Sequence, residues 1–170
     1  MSNPLRITTL TENTARGRGL LGEHGISLWL ETPQRRIIFD TGQGKVLFQN
    51  AKDLGIDLSQ ADTVVLSHGH YDHAGGLASL LEVAPEARVY VHPHAFEPKF
   101  SRNEEGETRD IGTQPPVAMK EERIRWTDEV TDLGDGFTVT GTIPRVTEFE
   151  DTGGPFFSDP EPRKRDTLDD

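Results

Sequence analysis

Short runs of alternating or continuous apolar residues divide the chain into strands and helices. Seven runs have the alternation or the β-branched and aromatic content of strands, and they lie at residues 5–10, 26–31, 35–39, 64–66, 88–91, 124–126 and 137–140. The second and third of these runs flank Thr32-Pro33-Gln34, which predicts a hairpin. Val64-Val65-Leu66 is apolar at every position, as is typical of a central strand that is buried on both faces of its sheet.

Two segments have the apolar spacing of helices. Residues 44–54 carry an apolar stripe, and Gly55 is expected to cap the C-terminus of that helix. A shorter helix is predicted over 77–81, ending before Pro85 because the residue that precedes a proline avoids helical backbone.

The remaining segments are predicted to be loops and turns. Residues 14–22 predict a mobile loop, and the polar stretch 103–116 predicts an exposed or disordered one. Gly134-Asp135-Gly136 predicts a tight turn. A chain of 170 residues is expected to form a single domain, here with a core over 1–148 and an acidic, proline- and glycine-rich loop or tail over 149–170.

Composition excludes several classes of function. The chain has no cysteine, so disulfides, thiolate metal ligands and thiol nucleophiles are absent. Its net charge is −11, and residues 101–170 contribute −9 of it, which argues against a nucleic-acid partner. We find no apolar run of membrane-spanning length and no basic-then-apolar leader, so a cytoplasmic location without a membrane partner is expected.

Candidate chemistry is concentrated directly after the central strand, in Ser67-His68-Gly69-His70-Tyr71-Asp72-His73. Four potential metal ligands fall within six residues, and the glycine lets the backbone turn so that side chains converge. Imidazoles with a carboxylate are typical ligands of zinc, iron or manganese rather than calcium. The alternative is an exposed polar loop that is histidine-rich by chance, but the spacing favours a metal site.

The His-x-His-x-Asp-His pattern resembles that of the metallo-β-lactamase superfamily. Ile37-Ile38-Phe39-Asp40-Thr41-Gly42 is similar to the family's strand that ends in Asp-Thr-Gly beneath the metals, and Ala74-Gly75-Gly76-Leu77 is similar to the start of its next helix. Two further segments, Gly22-Glu23-His24-Gly25-Ile26-Ser27 and Gly141-Thr142-Ile143-Pro144-Arg145, resemble one branch. That branch includes archaeal dihydropterin–ribofuranosylaminobenzene-phosphate synthases and many bacterial metal-dependent hydrolases.

The resemblance implies an α/β fold, the αβ/βα sandwich in which two sheets face each other between outer helices. That fold needs more chain than 170 residues provide, and no internal repeat supplies a second half. We therefore expect mainly the first half of the sandwich, a mixed sheet with flanking helices, in a chain that is incomplete. An isolated first half would expose the inner face of its sheet, which favours a homodimer or aggregation.

The family's motif assigns ligands to two divalent metal ions that share a bridging hydroxide. His68 and His70 would bind the first ion, and Asp72 and His73 the second; Asp72 would also orient the nucleophile and act as the catalytic residue. Zinc is the expected metal, with iron, manganese or magnesium as alternatives.

The family also uses later ligands, which are a further histidine, a bridging carboxylate and a final histidine. This chain has no histidine after His94. The chain is therefore truncated, or a partner subunit supplies ligands, or His92 and His94 act as substitutes.

Two groups of residues are expected around the ligands. Asp40, Thr41 and Ser67 should support the ligand loop, with Asp40 accepting hydrogen bonds that fix the imidazole orientations. A second group is expected to contact substrate, and it consists of Glu23, His24, His92 and His94. His24 could instead contact a metal ligand or be an ordinary loop histidine.

The sequence therefore predicts a metal-dependent hydrolase or transferase that acts on a small phosphorylated molecule, including pterin-related ones. Divalent ions lower the pKa of bound water and hold the negative charge that develops on an ester or phosphoester. The alternative is a catalytically silent fragment or metal-binding scaffold. A diiron redox centre is a third interpretation, but such proteins pair this fold with a flavodoxin-like domain, which nothing in this sequence resembles.

Overall fold

The computed structural model describes residues 4–147, 149, 154–161 and 164–166. The strands are β1 (Arg6–Thr11), β2 (Ser27–Glu31), β3 (Arg36–Phe39), β4 (Thr63–Val65), β5 (Arg88–Val91), β6 (Phe100–Arg102), β7 (Thr108–Asp110), β8 (Ile124–Trp126), β9 (Thr131–Gly134), β10 (Phe137–Val139) and β11 (Phe156–Phe157). The helices are α1 (Leu47–Asp53), α2 (Tyr71–Ala74) and α3 (Leu77–Val83). Within this part of the chain, no helix is long and apolar enough to cross a bilayer.

A mixed six-stranded sheet in the order β1-β2-β3-β4-β5-β8 forms the centre of the molecule. The first three strands are antiparallel neighbours, and β3, β4, β5 and β8 run parallel. The parallel strands all end at the same edge of the sheet, so the loops that follow them can bring functional side chains together there. The predicted mixed sheet with flanking helices and a central strand at 64–66 is thus confirmed.

Both faces of the central strands are buried, which explains their continuous apolar sequence. Successive residues point to opposite faces, so Val64 joins the core under α1 and α3, whereas Val65 joins a second cluster with Leu133. The first cluster is the larger one and its fully buried members include Leu10, Ile38, Leu47, Leu77, Leu80 and Val89.

The hairpin of β9 and β10 covers the second face of the sheet. Between this hairpin and the sheet lies a cavity of about 710 Å³. Its walls are mainly apolar, with Phe39, Val65 and Leu133 among them, and its polar margin includes Ser67 and His92. The cavity therefore adjoins the carboxyl end of β4, where the ligand loop begins.

Most predicted boundaries lie close to the observed ones, and two predictions were wrong. The helix expected over 44–54 begins only at Leu47, because Gly44 has a φ of +79°, which is incompatible with a helix. Gly55, at φ +69°, follows its end as predicted. The stretch 103–116 is not a featureless loop: β6 and β7 pair across a turn at its start. Four of the observed strands were not predicted, namely β6, β7, β9 and β11.

Candidate metal centre

The ligand loop, residues 67–73, connects β4 to the one-turn helix α2. His70 is the N-cap of that helix, and its carbonyl accepts hydrogen bonds from the backbone N–H groups of His73 and Ala74. Gly69 is pressed against the turn that follows β5, and an added Cβ would lie 1.5 Å from the carbonyl oxygen of Ala95. Glycine is therefore required at this position for the loop to close against β5.

Asp40 forms the centre of a polar frame beneath the loop. Its carboxylate is fully buried, and Oδ1 accepts a hydrogen bond from the Ser67 backbone N–H at 2.7 Å. Oδ2 accepts from Ser67 Oγ at 2.7 Å and from His73 Nδ1 at 2.7 Å. One side chain from the end of β3 thus accepts hydrogen bonds from two residues of the loop that follows β4.

This frame determines which nitrogen of each imidazole carries the proton. A carboxylate oxygen can only accept, so His73 Nδ1 is the donor and its Nε2 keeps a lone pair. Ser67 Oγ donates its one hydrogen to Asp40 and must accept from His68 Nδ1, 2.9 Å away. His68 Nε2 then also keeps a lone pair. In both neutral rings, Nε2 is therefore the nitrogen that carries the lone pair.

Thr41 fixes the other side of the loop through its backbone and its hydroxyl. Its N–H donates to the carbonyl oxygen of His73 at 2.6 Å, and its Oγ1 donates to the same oxygen at 3.0 Å. Thr41 Oγ1 also accepts from the N–H of Gly76 at 3.1 Å, which links the loop to the start of α3. Thr41 therefore contacts the ligand loop directly, and Ser67 is the first residue of that loop.

The four predicted ligands lie beside one another. The rings of His68 and His70 have centroids 4.5 Å apart, and those of His68 and His73 are 4.1 Å apart. Asp72 Oδ2 lies 3.6 Å from His73 Nε2. Two ligand atoms on one tetrahedral zinc ion are about 3.3 Å apart, given bonds of about 2.0 Å. The distance between Asp72 Oδ2 and His73 Nε2 is therefore close to that between two ligand atoms on one ion.

Negatively charged side chains lie close to His73. Burial lowers the pKa of the His73 imidazole, but the hydrogen bond to Asp40 and the charges of Asp40 and Asp72 outweigh it, so the pKa lies above its ordinary value. The same carboxylates that attract this proton would attract a divalent cation in its place.

The donor set fits a divalent ion of the zinc or iron type, since it combines imidazole nitrogens with one carboxylate. Among the residues that the structure describes, however, no three of these side chains converge as a single ion would require. The loop therefore presents pairs of donors, and a complete coordination sphere requires further ligands or movement of the side chains.

The residues predicted to contact substrate occupy two places. Glu23 Oε1 accepts from the backbone N–H of Gln43 at 3.1 Å, and His24 Nε2 lies 3.3 Å from Asp72 Oδ2. His92 is buried, and both of its ring nitrogens have partners outside the ligand loop. Its Nε2 forms a hydrogen bond with Thr142 Oγ1 at 2.9 Å, and its Nδ1 accepts one from the N–H of His94 at 3.2 Å.

One neighbour of the ligand loop was not predicted. The ring of Phe156, in β11, lies 5.0 Å from that of His70 between centroids, and β11 pairs with β6. The segment was expected to be a loop or tail because its acidic, proline-rich composition shows no period. The apolar pair Phe156-Phe157 was the one signal that could have indicated a half-buried strand there.

The sequence profile of the metallo-β-lactamase superfamily matches residues 22–155, which include the ligand loop and the frame beneath it. The chain belongs to the metallo-β-lactamase superfamily. The predicted fold is thereby confirmed, and members of the superfamily are metal-dependent proteins, typically enzymes.

Individual relatives agree with this membership. The chain is 31% identical over 148 residues to the uncharacterized protein MJ0448 of Methanocaldococcus jannaschii, covering 85% of this chain and 56% of the relative. It is 32% identical over 108 residues to the 7,8-dihydropterin-6-methyl-4-(beta-D-ribofuranosyl)-aminobenzene-5'-phosphate synthase of the same organism, covering 59% and 37%. The predicted resemblance to this branch is confirmed.

A solved structure extends the similarity over nearly the whole chain. Tm1679, a metal-dependent hydrolase of the β-lactamase superfamily, matches with a TM-score of 0.74 and 27% identity, covering 98% of this chain and 59% of that one. The chain spans less than two thirds of the length of each of these three relatives.

Proposed function

We propose that this chain carries the metal-binding loop of a metal-dependent hydrolase or transferase. The observation that supports this most directly is the polar frame of Asp40 and Ser67, which places the proton of each neutral imidazole, His68 and His73, on Nδ1 and so presents Nε2 to a metal. A loop that was merely histidine-rich would not need a buried carboxylate to set the protonation of two rings. Such control is typical of metal-binding imidazoles.

We assign the four side chains to two divalent ions, most simply zinc, with His68 and His70 on the first and Asp72 and His73 on the second. When bound, such ions activate a water molecule and polarise the scissile bond. Asp72 is the acidic member of the set, and we assign it the orientation of the attacking nucleophile. Asp40 and Thr41 hold the loop so that these donors keep their places.

For the substrate we propose a small phosphorylated molecule with an apolar or aromatic part. The cavity beside the ligand loop supports this, since its walls are mainly apolar while Ser67, His92 and Arg145 provide polar groups at its margin. A guanidinium binds phosphate oxygens well. The similarity to a synthase whose product is a pterin-containing phosphate favours a pterin-related compound within this class.

The proposal can be tested with the 170-residue chain itself. The gel-filtered protein is stripped of metal, reloaded with zinc, and analysed for bound metal per chain by elemental mass spectrometry. The same samples are assayed for release of product from aryl phosphate monoesters and diesters, and gel filtration reports whether the chain forms the expected homodimer. The His68→Ala/His70→Ala double variant is treated identically.

We expect wild-type protein to bind zinc and to cleave at least one phosphoester in a zinc-dependent manner, and the double variant to lose the first ion and the activity. Wild-type metal content in the double variant would contradict the site. Full metal loading without turnover of any phosphoester would instead favour the silent scaffold.

A further inference from the structure

His24 is an exposed residue in direct contact with a predicted metal ligand. Its side chain is 67% exposed, and its Nε2 lies 3.3 Å from Oδ2 of Asp72, whose own side chain is only 12% exposed. An exposed imidazole is ordinarily free to turn into solvent. If the side chain is held beside Asp72, the backbone around His24 must place it there.

The backbone around His24 is fixed from several sides. The side-chain amide of Gln43 donates to the carbonyl oxygen of His24 at 2.8 Å, and the N–H of Gly25 donates to Oδ1 of Asn13 at 3.0 Å. Glu23 accepts from the backbone N–H of Gln43, which ties the preceding residue to the turn after β3. The segment is thus attached both to the loop after β1 and to the loop after β3.

Gly25 brings this segment against the ligand loop. Its φ of +125° lies in a region that favours glycine, and an added Cβ would lie 2.0 Å from the backbone carbonyl oxygen of Asp72. The two backbones therefore meet at the residue whose side chain His24 contacts. The position of the His24 backbone beside Asp72 is therefore a consequence of the fold.

We propose that His24 is a positioning residue that holds the Asp72 carboxylate through a hydrogen bond from Nε2–H to Oδ2. The same oxygen faces His73 Nε2 at 3.6 Å and has a second lone pair for an ion in that direction. His24 thereby restricts the rotation of Asp72 and keeps its oxygen beside His73. This inference rests on the proposed function, because it assumes that Asp72 and His73 bind metal.

Residues that orient metal ligands typically change metal affinity by about 10- to 100-fold when they are removed. We expect the lower part of this range, roughly tenfold, because His24 is exposed and water can replace part of its hydrogen bond. Glutamine can place an amide nitrogen near the position of the histidine Nε2, so it should retain the contact that alanine removes.

The experiment compares His24→Ala, His24→Gln and Gln49→Ala with wild type. Zinc dissociation constants are measured by competition with a chromogenic chelator, and the absorption spectrum of the cobalt-substituted protein reports the ligand environment. Thermal unfolding of the metal-free proteins shows whether each variant is folded. Gln49 is an exposed residue of α1 whose side-chain amide donates to Oδ2 of Asp53 at 2.8 Å, so Gln49→Ala controls for the loss of any exposed hydrogen bond to a carboxylate.

We expect zinc affinity to fall about tenfold in His24→Ala, to recover largely in His24→Gln, and to stay unchanged in Gln49→Ala, with equal thermal midpoints for all metal-free proteins. Unchanged affinity in His24→Ala would overturn the inference. An equal loss in His24→Gln would also overturn it, since the imidazole would then act by more than a hydrogen bond. Failure of wild type to bind zinc would instead reject the proposed function.

Discussion

Asp40→Asn is the substitution that tests the polar frame most directly. The backbone N–H of Ser67 can only donate, so the introduced amide must keep its oxygen where Oδ1 was and place its nitrogen where Oδ2 was. That nitrogen then faces His73 Nδ1 and Ser67 Oγ, which both donated to Oδ2. Each must become an acceptor, and the proton of His73 must move to Nε2.

The rearranged hydrogen bonds of Ser67 also change the protonation of His68. Once Ser67 Oγ accepts from the amide, its hydrogen is free to point at His68 Nδ1, which then becomes an acceptor with its proton on Nε2. Both imidazoles lose the Nε2 lone pair that a metal would use. We expect zinc affinity to fall by about 10- to 100-fold, equivalent to about 1.4–2.7 kcal/mol.

The variant should still fold. Asp40 has a φ of +56°, and asparagine is among the few residues that tolerate this left-handed conformation. Loss of the charge-assisted hydrogen bonds of a fully buried carboxylate is expected to lower the free energy of unfolding by about 1.5–3 kcal/mol. Alanine would add unpaired buried donors and backbone strain, so asparagine is the informative substitution.

The assay is zinc affinity of the stripped protein by chelator competition at neutral pH, with the nitrogen chemical shifts of the imidazoles as a direct readout of the tautomers. Asp62→Asn is the matched control. Asp62 also accepts from a backbone N–H, that of Arg36 at 2.6 Å, and from Arg35 Nε at 3.0 Å, but it precedes β4, at the opposite end from the ligand loop. The Asp62→Asn variant should therefore lose stability without losing zinc affinity.

A wild-type zinc affinity in Asp40→Asn would refute the reasoning, as would imidazole spectra in which His73 keeps its proton on Nδ1. An equal loss of affinity in Asp62→Asn would show that the effect follows from general destabilisation and not from the frame.

Two further predictions concern the metal-free chain. Gly69→Ala should lower the free energy of unfolding by at least about 2–3 kcal/mol in chemical denaturation, because its Cβ would clash with the Ala95 carbonyl. Gly154→Ala is the control, since its Cβ would meet none of the described neighbours within 4 Å, and it should change the free energy of unfolding by less than about 0.5 kcal/mol. Equal effects of the two substitutions would contradict this explanation. The pKa of His73 is raised in the folded state, so its contribution to stability is present in full below the unfolded value of 6.5 and is lost as pH rises through the folded pKa. Denaturation of the metal-free protein between about pH 5.5 and 8.5 should show this loss, and His73→Asn should remove it; an unchanged pH dependence in that variant would contradict the assignment.

The parts of the site that could be predicted from sequence are those with local determinants. His68, His70, Asp72 and His73 lie within six residues after an apolar run, so the spacing alone indicates convergent ligands. The contact between His24 and Asp72 spans 48 positions and depends on the path of the segment after β1. For that contact the sequence offered only alternatives, since residue type does not fix which loops meet.

The missed strands show the same limit in the fold. β7 is exposed at every residue and is polar in sequence, so it has no apolar alternation to recognise. It forms because β6 pairs with it and with β11, more than fifty residues farther along the chain. Pairing of this kind depends on tertiary context, and local pattern carries little information about it.

Asp40 shows why the ligand motif alone does not define the site. The residue occupies a left-handed conformation that costs roughly 1–2 kcal/mol for a non-glycine residue, and the hydrogen-bond partners of its buried carboxylate within the described part of the chain include no Lys or Arg. Three short hydrogen bonds to Ser67 and His73 offset these terms, and they exist only when β3 and β4 lie side by side. A chain that retained the His-x-His-x-Asp-His motif but lost this aspartate would keep four ligand side chains without the control of their protonation. The zinc affinity of Asp40→Asn therefore measures how far metal binding depends on the sheet and not on the loop sequence.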